Sequence, residues 1–502
     1  MAASSGEAGR ASPVESLEHA TFTHAASGFR YAVTRSGSGY ALEFEKAGSE
    51  LRGKKTLAYF VGSGATARSY LVAGNGFLYE APAAYYSASA KWDLAPGYDS
   101  YAYPFVTRPA MPACLTCHAS FLDMVAGTQN RYGTPPFGEG GVACERCHGP
   151  GEEHIARMQA GRGGEGAAIV NPAKLTPDRR DSVCAQCHLS GEVRVMRPGA
   201  TWQSYRPGDR LADSMTVFVR ARANAGMRVT SHFEDLVRSA CQRVSGDKMW
   251  CGSCHDPHAV PDAAARSTWF RAKCLGCHAE TACSETRVMR ARRQDDCIAC
   301  HMPKNPVADA EHVVYTDHSI PRRPRGVTPP PPGPVELAPF GGGPASARDT
   351  ALAYAIEAGR ERTPAAEARA AALLEAAERE WPDDAEVLLY LAELDRNGGR
   401  EAQAVPLYRR AMSLDPFQVT ASVGLGGILF ERGDYAQAIR LWQDALARNG
   451  GLVLVATNLA MAQWRNGNPQ AAADTLDRVI ALSPAFAPAR ALRKNLREAM
   501  AK

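Results

Sequence analysis

The sequence lacks any apolar run approaching the roughly 20 residues of a membrane-spanning helix, so no membrane span is expected. It also lacks a charge excess of either sign. Lys and Arg number 57 against 53 Asp and Glu, a net charge of +4, which implies no strongly charged partner. No nucleic-acid-binding motif is present, so no nucleic-acid partner is expected. The first twenty residues have neither the basic nor the apolar region of a secretory leader, and residues 1–20 read as a disordered tail. At 502 residues the chain has room for two or three domains. Histidine is scarce, 13 in all, and cysteine numbers 14; their placement is far from even.

Twelve of the cysteines fall into six copies of Cys-x-x-Cys-His: Cys114/Cys117/His118, Cys144/Cys147/His148, Cys184/Cys187/His188, Cys251/Cys254/His255, Cys274/Cys277/His278 and Cys297/Cys300/His301. This spacing is the attachment signature of c-type haem. The two thiols bond to the haem vinyl groups, and the histidine supplies an axial nitrogen to iron. Six motifs predict six haem c groups. Cys-x-x-Cys pairs also form zinc half-sites, but zinc does not require a histidine directly after each pair.

Covalent haem attachment outside the cytoplasm predicts a periplasmic or extracellular protein. The chain is therefore expected to be a mature form whose leader has been removed and to which Met1 has been added. Cys241 and Cys283 lie outside the motifs, and in an oxidising compartment they are expected to form one disulfide.

Residues 21–110 read as a small β-rich domain. Phe29, Tyr31 and Val33 alternate with polar or small residues, Ser36 to Gly39 turn, and Tyr40, Leu42 and Phe44 alternate again. A second hairpin runs from Ser69 to Val72, turns at Gly74-Asn75-Gly76 and returns through Phe77 to Tyr79. The aromatic series Tyr85, Tyr86, Trp92, Tyr98, Tyr101, Tyr103 and Phe105 is expected to pack this sheet onto the first haem. Residues 111–320 read as a loop-rich hexahaem cytochrome c domain, in which macrocycles replace a side-chain core. The basic run Arg287, Arg290, Arg292 and Arg293 reads as a solvated or propionate-pairing face. Residues 321–349, with Pro321, Pro324, Pro329 to Pro332, Pro334 and Gly341 to Gly343, read as an extended linker.

From residue 350 a 34-residue period appears. Gly399, Gly433 and Gly467 repeat at that spacing, as do Ala404, Ala438 and Ala472; Pro382, Pro416 and Pro484 share a register in which Gly450 takes the missing slot. The period resembles tetratricopeptide repeats and predicts an all-α solenoid over 350–502. Three repeats run from Asp383 to Pro484, with a degenerate one before them and a capping helix near Ala485 to Met500. Such a surface suits a redox-partner protein or self-assembly.

Each haem iron needs a second axial ligand, and a second histidine gives a closed electron carrier. Beside the six motif histidines stand His19, His24, His154, His232, His258, His312 and His318. The expected distal ligands are His24, His154, His232, His258, His312 and His318, with His24 preferred over His19 in the tail. His154 and His258 closely follow motif histidines and are expected to serve a neighbouring haem. Met302, adjacent to His301, cannot reach the opposite face of the same haem.

The segment from Cys144 through Cys147-His148-Gly-Pro-Gly-Glu-Glu to His154 resembles the nitrifier tetrahaem cytochrome c family and its larger multihaem relatives. Cys297 to Lys304, followed by His312 and Thr316-Asp317-His318, resembles the closing motif of bacterial multihaem proteins that also carry tetratricopeptide repeats. The resemblance implies parallel and perpendicular stacked haem pairs, with His154, His312 and His318 as iron ligands. Six haems exceed the tetrahaem pattern, so haem order does not carry across.

These features favour a carrier of single electrons through six mostly bis-His haems over a catalyst. A second reading is a multihaem oxidoreductase acting on a small nitrogen or sulfur oxyanion at one open haem; no Cys-x-x-Cys-Lys variant of the motif is present. A third is an interaction protein whose repeats dominate and whose haem domain is a redox sensor or cargo.

Overall fold

The computed structural model describes residues 3–9, 14–18, 20–99, 101, 105–164, 168–221, 226–323 and 335–501. His19, Tyr103 and the linker prolines from Pro324 to Pro334 lie outside the described residues. The chain divides into two compact units, Met1–Ala143 with Pro344–Lys502, and Cys144–Gly343. The first motif therefore belongs to the first unit and the other five to the second.

The first unit opens with strands β1 (Ser5–Glu7), β2 (Thr21–His24), β3 (Phe29–Ser36), β4 (Gly39–Lys46), β5 (Arg52–Leu57), β6 (Tyr59–Val61), β7 (Ala67–Gly74), β8 (Phe77–Tyr86), β9 (Lys91–Asp93) and β10 (Arg108–Pro109). Helix α1 (Pro112–Leu115) and strands β11 (Leu122–Met124) and β12 (Tyr132–Phe137) follow. One antiparallel sheet runs β2-β3-β4-β5; another runs β1-β6-β7-β8-β10, with β9 paired to β8. The period-2 alternation sets the register. Tyr31 pairs Phe44 and Val33 pairs Leu42, and Phe29, Tyr31, Val33 and Leu42 are buried. Trp92 packs against Tyr40, Tyr70 and Tyr85, with ring centroids 6.1, 5.0 and 5.6 Å away. Leu115 and Ala119 join Tyr59, Leu71, Leu78, Tyr132 and Phe137 in one buried cluster, which seats the first motif on the sheet.

The expected disordered tail is corrected by this unit. Residues 5–7 pair with β6, and Ser4 Oγ donates to the His118 carbonyl at 2.9 Å. Glu15 is buried with Arg68, 2.8 Å from its Nη1, and accepts from the Tyr70 hydroxyl at 2.5 Å.

In the second unit the helices are short: α2 (Glu145–His148), α3 (Glu152–Gln159), α4 (Pro177–His188), α5 (His232–Arg238), α6 (Ala240–Ser245), α7 (Cys251–Cys254), α8 (Arg266–Leu275), α9 (Arg287–Arg292) and α10 (Cys297–His301). Strands β13 (Val193–Met196), β14 (Met215–Arg220) and β17 (Leu337–Pro339) form one small sheet; β15 (Lys304–Pro306) and β16 (Val314–Thr316) form another. The described end of the expected linker is thus a paired strand. Phe340 N donates to Val217 O at 2.8 Å, and its ring lies 5.5 Å from that of Phe233.

The chain then returns to the first unit as helix pairs α11 (Ala347–Glu361) with α12 (Pro364–Glu380), α13 (Ala385–Asn397) with α14 (Glu401–Leu414), α15 (Val419–Glu431) with α16 (Tyr435–Arg448), and α17 (Val453–Arg465) with α18 (Pro469–Leu482), closed by α19 (Ala487–Met500). The 34-residue register extends into α12: Ala370, Ala404, Ala438 and Ala472 are buried, as are Leu374, Tyr408, Trp442 and Leu476. Small residues let the helices approach, and the large residue one turn later fills the gap between them. The turns between pairs grip the β-rich part of the same unit. Arg448 Nη1 donates to Gly127 O at 3.0 Å, and Asn449 Nδ2 donates to Gln129 Oε1 at 2.7 Å. A Cβ on Gly450 would meet the Tyr79 hydroxyl at 2.5 Å and the Phe77 ring at 2.9 Å. That contact accounts for glycine in the slot that proline fills elsewhere.

Candidate haem sites

Five motifs follow one another in space in the order they follow in the chain. Gln186, inside the third motif, donates its Nε2 to the carbonyl of Arg146, inside the second, at 3.1 Å. The Cys184 and Cys251 thiols, from the third and fourth, hydrogen-bond each other, and this pairing with burial pushes Cys184 up. Cys254 of the fourth lies within electrostatic reach of Cys277 of the fifth. Burial and the neighbouring Cys297 and Cys254 push Cys274, also of the fifth motif, up to about 11, and its thiol hydrogen-bonds that of Cys297 of the sixth. Cys114 of the first motif lies instead within reach of Glu80 and Arg108 in the first unit.

Cys117, Cys187 and Cys300 are the second thiols of the first, third and sixth motifs. Cys117 is half-buried within reach of Cys114, its own motif partner. Cys187 is half-buried in the last turn of α4, directly before His188. Cys300, on α10, accepts from Nη1 of Arg293 at 2.8 Å. Arg293, one of the basic run, is exposed and turned onto this motif thiol. The assignment of these three thiols to haem attachment rests on the motif spacing. None of the twelve motif cysteines is in a disulfide, and each keeps the thiol that a thioether bond requires.

Six histidines come together in pairs. His148 and His258 stack with ring centroids 5.8 Å apart and planes 18° apart. His255 and His318 lie 6.1 Å apart at 29°. His188 and His232 are 5.1 Å apart, nearly perpendicular, and His232 also meets His318 at 4.9 Å. Each pair joins one motif histidine to one outside the motifs. His258 follows the fourth motif in sequence yet faces the histidine of the second. Burial, with His188, His318 and His255 around it, lowers His232 to about 3, so its ring is neutral and keeps a lone pair for a metal.

The Nδ1 atoms of His148, His301 and His318 lie 2.7, 3.1 and 2.9 Å from the carbonyls of Val170, Pro321 and Thr316. A carbonyl only accepts, so each Nδ1 donates, which leaves Nε2 as the nitrogen that would face a metal. Ligating histidines are held in the same way by carbonyls around other metals.

The remaining candidates are placed less tellingly. His24 is buried at the end of β2 with Nδ1 2.7 Å from Ser27 Oγ, and the structure does not bring it against a motif histidine. His154 lies on α3, and His312, at a positive φ of 60°, precedes Val313. His118, His278 and His301 lie outside the three pairs. The expected Cys241–Cys283 disulfide is not formed: both are free thiols, with Cys241 beside Cys254 and Cys283 beside Cys297. Among the described residues, no group of three or more His, Cys, Asp or Glu could hold a bare metal ion.

The residues fit haem on three counts. From 241 to 309 no residue is buried, although this stretch is folded into helices and carries three motifs. Val244, Val260 and Val288 are exposed there, so its apolar side chains have no protein core to enter. Second, a metal bound to two imidazole nitrogens at about 2 Å each sets the rings roughly 6 Å apart, close to the separations of His148/His258 and His255/His318. Third, the buried Tyr205 hydroxyl and Arg146 Nε have no hydrogen-bond partner among the described residues, as donors awaiting a carboxylate would.

Residues 368–419, 395–453 and 423–487 match the tetratricopeptide repeat family. The C-terminal array is built of tetratricopeptide repeats. Over 185 residues the chain is 25% identical to the multiheme cytochrome MtrA of Shewanella baltica, covering 34% of this chain and 52% of that protein. The chain thus spans about half the length of that curated relative. Among solved structures it is similar to MamA AMB-1, with 22% identity and a TM-score of 0.28 over 31% of this chain and 81% of the other. It is also similar to YrrB, a TPR protein with an unusual peptide-binding site, with 18% identity and a TM-score of 0.26 over 30% and 73%. Among the described residues, no helix is long and apolar enough to cross a membrane.

Proposed function

We propose that this chain is a periplasmic or extracellular c-type cytochrome that carries single electrons through six covalently attached haems and docks a redox partner on its repeats. The observation that carries the reading is the unbroken spatial succession of motifs two to six. Each haem, when bound, supplies an iron that cycles between ferric and ferrous. Two thiols and a motif histidine would hold each group, and a second imidazole would ligate its iron. His258, His232 and His318 are assigned opposite His148, His188 and His255. His24, His154 and His312 are left for His118, His278 and His301.

Carrier function also agrees with the exposed, coreless stretch from 241 to 309, where side chains leave room for closely spaced groups and edges near the surface. The similarity to a multiheme cytochrome supports haem chemistry and an extracytoplasmic site. Intact mass of the protein matured in a cytochrome c-producing host tests the reading. Six added haems with all twelve motif thiols blocked, Cys117, Cys187 and Cys300 among them, are expected; fewer, or none, would overturn it.

A further inference from the structure

Arg146 occupies the second variable position of the second motif and Gln186 the same position of the third. The Gln186 amide spends its hydrogens on the carbonyls of Arg146 and Val183, at 3.1 and 2.9 Å, which locks the two motifs together. Beside this lock stands Tyr205, only 4% exposed, in an apolar cluster with Ala185, Leu189, Leu211, Met215 and Val217. Burial pushes its phenol far up, with Asp209, Cys184, Cys147 and Arg146 all within electrostatic reach. Among the described residues its hydroxyl has no hydrogen-bond partner, and neither does the buried Arg146 Nε. An unmatched buried hydroxyl is costly, and two orphaned donors beside two haem-attaching thiols call for one acceptor, a carboxylate.

Resting on the haem reading above, we propose that the Tyr205 hydroxyl and the Arg146 guanidinium hold a propionate of one of the haems packed around the second to fourth motifs. Both are positioning residues: neither touches iron. A donor and a positive charge on the propionate offset its negative charge, and this favours the ferrous state of that haem. Tyr205 and Arg146 thereby raise one potential in the series.

The test is a spectropotentiometric titration of Tyr205→Phe, Arg146→Gln and Arg146→Lys holoproteins, each first shown by intact mass to carry the wild-type haem number. One midpoint is expected to fall in both Tyr205→Phe and Arg146→Gln, in the same haem, while the other five stay. Arg146→Lys, which keeps the charge, should fall less. If Tyr205→Phe loses haem by misfolding, the Arg146→Gln and Arg146→Lys pair decides, because it leaves the Tyr205 packing intact. Titrations that superimpose on wild type would overturn the proposal and assign the two donors to water. A wild-type chain without haem would instead sink the cytochrome reading, which separates the two failures.

Discussion

The imidazoles of His148 and His258 lie with centroids 5.8 Å apart and planes 18° apart, although 110 positions of sequence separate them. His148 is oriented by the Val170 carbonyl at 2.7 Å from its Nδ1, and the Asp256 carboxylate lies 3.6 Å from the Nδ1 of His258. Exchanging one imidazole for a thioether raises a haem potential. His258→Met is therefore expected to keep six haems and raise the potential of the haem attached at Cys144 and Cys147. His154→Met should leave that haem unchanged. Redox titration of the two variants checks the assignment.

Gly450 marks where a repeat turn meets the β-rich part of its own unit. Restoring the residue found at Pro416 and Pro484, as Gly450→Pro, would drive atoms into Tyr79 and Phe77. A loss of about 1–3 kcal/mol is expected from overpacking of this kind. Denaturant unfolding of the variant beside wild type measures it; an unchanged midpoint would mean that this contact holds nothing.

Within the repeats, a Cβ on Gly426 would lie 2.5 Å from Nε1 of Trp442, whose ring is buried and whose indole N–H donates to Val423 O at 3.3 Å. Gly426→Ala should cost about 1–3 kcal/mol and lower the thermal midpoint followed by helical circular dichroism. Haem number should stay the same.

Burial raises the Glu80 carboxyl from 4.5 to about 6, against the opposing pull of Arg108, whose Nε lies 3.1 Å from Oε2. A carboxyl whose folded value lies above its unfolded value binds more protons when folded. Its contribution to stability is full below pH 4.5 and is lost as pH rises through about 6. The loss is about 2 kcal/mol. Glu80→Gln should flatten this part of the stability curve, as read by unfolding at a series of pH values between 4 and roughly 7.5.

The sequence made the local elements legible where one physical rule dominates. Alternation placed the hairpins because one sheet face is buried. The 34-residue register placed the helix pairs because Ala404, Ala438 and Ala472 each sit at a close helix crossing. What it could not show depends on residues far apart. Glu15 reads as part of a polar tail until Arg68 and Tyr70 arrive beside it. His258 reads as a neighbour of the fourth motif, and nothing in its spacing points to His148. The motif spacing treats all twelve thiols alike, yet Cys184 and Cys251 meet across motifs while Cys300 meets Arg293. The division after Ala143, with the repeats returning to the first unit, has no local signal. Arg146 and Tyr205 each read as ordinary residues, and only their orphaned atoms mark them.

The central claim is that the haem irons are closed by a second ligand and that the chain carries electrons. Low-temperature electron paramagnetic resonance of the oxidised holoprotein, with haem number fixed by intact mass, tests it most directly. The account predicts low-spin signals alone from all six haems. A high-spin signal equal to one haem would contradict it and turn attention to oxyanion reduction at an open iron.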